Sequence, residues 1–242
     1  MNTGLRHSLS VRLFVTAIAS ASLLVPVASE AQNTTTGFDA LFSNTTGLNN
    51  TAAGASALYN NITGSYNTAY GYDALFPNTT GEYNTATGLE ALYANITGYN
   101  NTATGTYALA NNTSGGSNTG IGYAALATNT TGGANTANGV STLFSNTTGN
   151  YNTANGCQAL YSNTMGSNNT ANGYYALYFN TTGYDNTADG FAALSSVTTG
   201  YFNIALGVGS GQSVTTGANN IEIGNVGSST DTGVIRIGTT NT

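Results

Sequence analysis

In this chain of 242 residues 40% of the side chains are hydrophobic, yet only 5% are charged and 32 residues are glycine. That composition excludes a coiled coil and a highly charged disordered tail. Beyond residue 31 the acids are Asp39, Asp73, Glu82, Glu90, Asp185, Asp189, Glu222 and Asp231 against the single base Arg236, eight to one and a net charge near −7, so a run of phosphates cannot be neutralised and nucleic acid is excluded as a partner.

The first 31 residues differ in kind from the rest. Arg6 and Arg12 precede the apolar run Leu13 to Val27, and Ser29-Glu30-Ala31 places small residues where a signal peptidase reads. This pattern predicts a secretory signal peptide over residues 1–31, cleaved between Ala31 and Gln32. The run is too short for a membrane anchor and contains Pro26, and no second apolar stretch follows, so no membrane span is expected in the mature chain.

From Asn33 onward the sequence repeats every 17 residues, with Asn at 33, 50, 67 and so on to 203 and 220, which makes 12 unit starts without an insertion. The consensus is N-T-A-x-G-x-x-A-L-F/Y-x-N-T-T-G-x-x, numbered below as positions 1 to 17. Strict spacing of this kind predicts one turn of a stack per unit. Gly recurs at positions 5 and 15, marking two bends that need positive φ or have no room for a side chain. The segments between are too short for helices and rich in Thr and Asn, so the expected fold is all-β: a parallel β-solenoid, or β-roll, of about 11 or 12 coils. The solenoid is expected over residues 32–219, and 220–242 as its closing segment.

The core is read from columns. Position 9 is Leu in ten successive units (Leu41, Leu58, Leu75, Leu92, Leu109, Leu126, Leu143, Leu160, Leu177 and Leu194), the expected buried ladder. Ala dominates positions 3 and 8, and Asn at position 12, from Asn44 to Asn180, suits an amide ladder at a corner. Position 10 supplies Phe42, Tyr59, Phe76, Tyr93, Phe144, Tyr161 and Tyr178, but positions 8, 9 and 10 cannot all point inward from one strand. So thin a core leaves these rings without an interior place, and they are expected to be shared between subunits. Cys157, at position 6 among Phe38, Tyr72 and Val140, is expected as core filler rather than as a nucleophile or half of a disulfide. In the last units, Ile204, Leu206, Ile221 and Ile223 are expected to face inward, with Glu222 outward.

The units resemble a known family. N-T-A-x-G-x-x-A-L followed by S-N-T-T-G is similar to the head repeats of trimeric autotransporter adhesins, the YadA-like heads, and of related bacterial surface and fibre proteins. The ending, from Asn219-Asn220-Ile221-Glu222-Ile223-Gly224 to Val234-Ile235-Arg236-Ile237-Gly238, resembles the segment that closes such heads. The resemblance implies a left-handed β-roll, a homotrimer, and display outside a bacterial cell. The family's usual repeat is shorter and richer in Val-Ala-Ile-Gly strands. No stalk or membrane barrel pattern is read before Thr242, so the expectation is a released head, a truncated product or attachment through a partner.

The chemical inventory points away from an enzyme. The only His, His7, lies in the leader, there is no Lys, and no Ser has a base to pair with. Asp39, Asp73 and Glu90 share position 7, and Asp185 lies near Asp189, but the Gly-and-Asp nonapeptide of calcium-binding β-rolls is missing, so these are read as solvated acids. Neither cofactor nor metal is expected. The function expected is a secreted or cell-surface structural and adhesive protein presenting Asn, Thr and Tyr ladders to a host, matrix or cell-surface ligand. The alternative is an ice-binding solenoid using Thr columns such as Thr45-Thr46 and Thr79-Thr80 at positions 13 and 14. The register itself is testable. Deleting one whole unit, Asn135 to Tyr151, should leave a folded, shorter stack, whereas deleting eight residues should destroy it; equal loss of β circular dichroism in both would refute one coil per unit.

Overall fold

The structure, a computed structural model, describes residues 32–238. The expected signal peptide, residues 1–31, including Ala31 of the expected cleavage site, lies outside the described residues, as does 239–242. Thirteen strands of three residues, from Thr34–Thr36 to Ile235–Ile237, form a single parallel sheet in chain order. Successive strands pair in register one unit apart, Thr51 with Thr68 and Ala52 with Ala69. The last step is shorter, Ile221 pairing with Ile235. The chain is thus the all-β parallel solenoid that the repeat predicts. Among the described residues no helix is long and apolar enough to cross a membrane.

Each strand occupies positions 2 to 4 of a unit. Period-two alternation turns the small residue at position 3 inward, so that Ala69, Ala86 and Ala103 are fully buried while Tyr70 and Thr87 face out. The rest of the coil is bent, and its backbone still bonds between coils: Leu58 N–H donates to Ala74 O at 3.0 Å, Asn60 N–H to Phe76 O at 2.9 Å and Tyr66 N–H to Leu48 O at 2.9 Å.

In each of the first ten coils three non-glycine positions are left-handed. In the second coil Ser56, Leu58 and Tyr66, at positions 7, 9 and 17, have φ of 55°, 53° and 59°. Such a conformation costs an L-residue about 1 to 2 kcal/mol. Burial of a Leu side chain recovers about 2 kcal/mol, and the inter-coil bonds add to it. The kink at position 9 also settles how positions 8 to 10 are shared: Ala57 and Leu58 are both buried, and Tyr59 leaves the core half-buried. Leu58 to Leu194 of the Leu column are fully buried, and Leu41, in the first coil, is 9% exposed. Position 5 needs glycine outright: Gly54 has φ +138°, and a Cβ there would strike the backbone of Gly71.

The opposite side of the coil interior is polar. Gly64, at position 15, turns its carbonyl inward and accepts from Nδ2 of both Asn50 and Asn61, each at 2.9 Å. Asn61 Nδ2 also donates to Asn44 Oδ1 one coil back at 2.8 Å, while Asn67 N–H donates to Asn50 Oδ1 at 2.9 Å. Two amide columns, at positions 1 and 12, therefore converge on one glycine carbonyl in the first nine coils, from Gly47 to Gly183. A Cβ on Gly64 would fall within 3 Å of Gly81 O, of Asn61 Oδ1 and of Asn78 Nδ2, so the glycine is there for space, not for positive φ. In the shortened last coil Asp231 O replaces the glycine carbonyl, accepting from Asn220 Nδ2 at 3.0 Å.

The C-terminal strands reverse the expected orientation. Ile204, Leu206, Ile235 and Ile237 point outward, 46%, 50%, 66% and 74% exposed, and Glu222 is the buried residue, stacked in register on Ala205. Register with the coil below decides the inward side, and it holds position 3 inward whatever residue occupies it.

The position-12 column ends where Val197 follows Asn180, and the Asn180 Oδ1 is left buried without a partner. This gives a graded test. Replacing Asn180 by Val moves that unpaired oxygen to Asn163 without adding another. Replacing Asn112 by Val strands both Asn95 Oδ1 and one N–H of Asn129. At about 1 to 3 kcal/mol for each stranded group, Asn112→Val should lose at least about 2 kcal/mol more than Asn180→Val in urea unfolding. Equal losses would show that the amides do not bond as a column.

Candidate functional surface

The seven aromatic residues of position 10 fall into two blocks. Phe42, Tyr59, Phe76 and Tyr93 stack in sequence with ring centroids 5.2, 5.3 and 5.8 Å apart. Phe144, Tyr161 and Tyr178 form the second block, each step 5.3 Å. Between them Ala110 and Ala127 occupy the same column. The stacking follows from the coil repeat, which sets identical side chains one strand spacing apart, about 4.8 Å. Phe42 and Tyr93 are exposed, 67% and 37%, and the other five rings are half-buried.

Further rings lie outside this column. Tyr66 and Tyr83 of position 17 stack at 4.9 Å with planes 2° apart, and Tyr184 and Tyr201 of position 16 at 4.9 Å and 1°. Position 6 also faces outward, with Tyr72 55% and Val140 48% exposed, so Cys157 in that column is a half-buried surface thiol and not core filler. The cause is the glycine bend before it, which swings position 6 away from the interior.

The Thr columns divide by role. At position 13 the hydroxyls are consumed in the stack: Thr113, Thr130, Thr147 and Thr164 each donate to the position-13 carbonyl one coil on, at 3.0 to 3.1 Å. Position 2, from Thr34 to Thr187, lies at the strand with its side chains directed outward.

The acids do not converge on a centre. Asp73 and Glu90 are half-buried neighbours in the position-7 column, Asp189 is exposed at position 4, and among the described residues no group of three or more His, Cys, Asp or Glu is placed to hold a metal ion. At the C-terminal end Arg236 grips Asp231 in a fork, Nη2 to Oδ1 at 2.7 Å and Nε to Oδ2 at 2.8 Å. Glu222 lies beneath, its Oε1 3.8 Å from Arg236 Nε, with both carboxylate oxygens lacking a hydrogen bond.

Compared with protein-family models, with curated proteins and with solved structures, the chain has no match.

Burial of Glu222, with the charge of Asp231 beside it, pushes its carboxyl up to about 7 against the opposing pull of Arg236. A raised carboxyl pKa means that the folded state holds the proton longer than the unfolded chain, so stability falls as pH rises from about 4.5 to about 7. Glu222→Gln removes that loss. It should be more stable than the parent at pH 8 by up to about 3 kcal/mol, with the gap closing at pH 4. A gap independent of pH would mean that folding leaves the Glu222 carboxyl pKa unraised.

Proposed function

We propose that this protein is a non-enzymatic, structural and adhesive repeat protein, secreted or held at a bacterial cell surface, that presents side-chain ladders to a host, matrix or cell-surface ligand. The observation that carries the reading is the stacking of rings outside the core in two blocks of the position-10 column, four rings from Phe42 to Tyr93 and three from Phe144 to Tyr178. A side chain repeated at the strand spacing makes many weak sites on one rigid body, and such sites act together as avidity. In this reading the position-10 blocks, Phe42 to Tyr93 and Phe144 to Tyr178, are the contact faces of a homotrimer, because a coil core of one Leu and two Ala leaves large apolar area to be covered from outside. Neither cofactor nor nucleic acid has a part in it.

A second reading, ice binding, is favoured by a different column from the one the repeat first suggests. Position 2 offers ten outward Thr residues on a parallel sheet, and in Thr85–Thr87 and Thr102–Thr104 position 4 adds a second Thr. Position 4 elsewhere carries Tyr70, Ile121 and Asp189, which break the flat lattice that ice would need. Adhesion is therefore preferred.

The test is the mass and the binding of the secreted protein. Light scattering should give three times the chain mass, and replacing Tyr59, Phe76, Tyr161 and Tyr178 by Ser should release less stable monomers. Beads coated with the unaltered protein should adhere to cells or matrix. A monomer that shows thermal hysteresis and no adhesion would overturn this reading in favour of ice.

A further inference from the structure

The break in the position-10 ring column is a cavity with its own chemistry. Tyr93 is stacked by Phe76 on one side and Phe144 by Tyr161 on one side. Both rings line the space over Ala110 and Ala127, the coils that lie between them. Three coil steps separate them, about 14 Å. The open volume is 420 Å³, and Tyr107 and Tyr123, meeting edge to face at 6.2 Å, form its side wall. Glu90 lines the end next to Tyr93, whose backbone N–H donates to Glu90 O at 3.3 Å.

Charge decides the occupant. Glu90 is half-buried, Asp73 lies one coil below it in the same column, and neither has a cation to pair with, because Arg236, the one base among the described residues, is held by Asp231 and Glu222 at the far end of the stack. A carboxylate without a counter-ion in the lining beside four aromatic rings, with a second carboxylate one coil below it, favours a positive guest. The ring faces add the quadrupole attraction that a weakly hydrated cation meets at tyrosine and phenylalanine. An anion would meet repulsion from every charged group nearby.

We infer that the slot between Tyr93 and Phe144 is a binding site for an organic ammonium cation, with the methylated nitrogen set against the ring faces and Glu90 as counter-charge. The slot lies between the two ring blocks assigned to subunit contact, and a single chain presents it complete. Its presence therefore does not rest on the trimer.

The probes are tetramethylammonium and choline, titrated calorimetrically into the full secreted protein. Saturable binding with Kd of about 1 mM or tighter is expected. The neutral isostere 3,3-dimethylbutan-1-ol should bind at least about fivefold more weakly, as should choline to Glu90→Gln. The double variant Ala110→Tyr with Ala127→Phe continues the ring column through the slot. It should keep the fold, since other coils carry these residues there, and lose binding. If that variant does not fold, Tyr93→Ala and Phe144→Ala replace it, each expected to weaken choline by about tenfold. Absence of saturable binding in the unaltered protein, equal binding of the neutral isostere, or full binding by the filled or ring-deleted variants would overturn the inference. Preferential binding of a neutral hexose would do so as well. Oligomer mass is read separately, so failure of this site and failure of the assembly are distinguishable.

Discussion

The structure depends on the junction at which two asparagine side chains meet one glycine carbonyl. In the fourth coil Asn84 and Asn95 both donate to Gly98 O, at 2.8 and 3.1 Å, and Asn95 donates again to Asn78 Oδ1 one coil back at 2.8 Å. One amide nitrogen is thereby tied both within its coil and to the coil before it. A residue inserted anywhere between Asn84 and Gly98 would break the first tie, and one inserted between coils would break the second. The period of 17 is the spacing that keeps both. Among the described residues nineteen asparagines are fully buried on these terms, a load of desolvated amides that is tolerable only while each is bonded in a column.

With polarity satisfied on one side of the interior, the other side needs little volume. Leu and two Ala fill it, and the left-handed kink at the Leu position sends the following aromatic residue outward. Interior chemistry is therefore nearly constant from coil to coil, while positions 4, 6, 7, 10, 11, 16 and 17 vary. The outer surface can carry one ring column, interrupt it at Ala110 and Ala127, or set a carboxylate beside it without altering the stack. The adhesive surface and the cation slot, as proposed, both depend on that separation. The C-terminal end departs from it: a 14-residue coil, Val at position 12 in the two preceding coils, and a charged cluster in the inward position.

Much of this is legible in the sequence because columns average over many coils. The coil length, the Leu ladder and the amide column at position 12 are readable as repeated residues at fixed spacing. Position 1 carries an equally buried amide column, and its Asn, present in all 12 units, was the available signal; as the first letter of the repeat it reads as a phase marker instead of as a side chain. The left-handed conformation of Leu58 or Tyr66 is hidden, because neither residue type announces it. Orientation at the end is not legible from polarity: Glu222 looks like a solvent residue between two isoleucines, and only its register over Ala205 places it inside. The outward place of Cys157 is hidden for the same reason, since an apolar column need not be an interior one.

Side-chain amide exchange tests the central claim most directly. In a uniformly 15N-labelled sample, the Nδ2 protons of Asn67 to Asn203 at position 1 and Asn61 to Asn180 at position 12 should exchange as slowly as the backbone amides of the strands, and should lose protection together in one cooperative step. Rapid exchange of these side chains from an otherwise protected stack would contradict it, and would leave the thin apolar core as what holds the coils together.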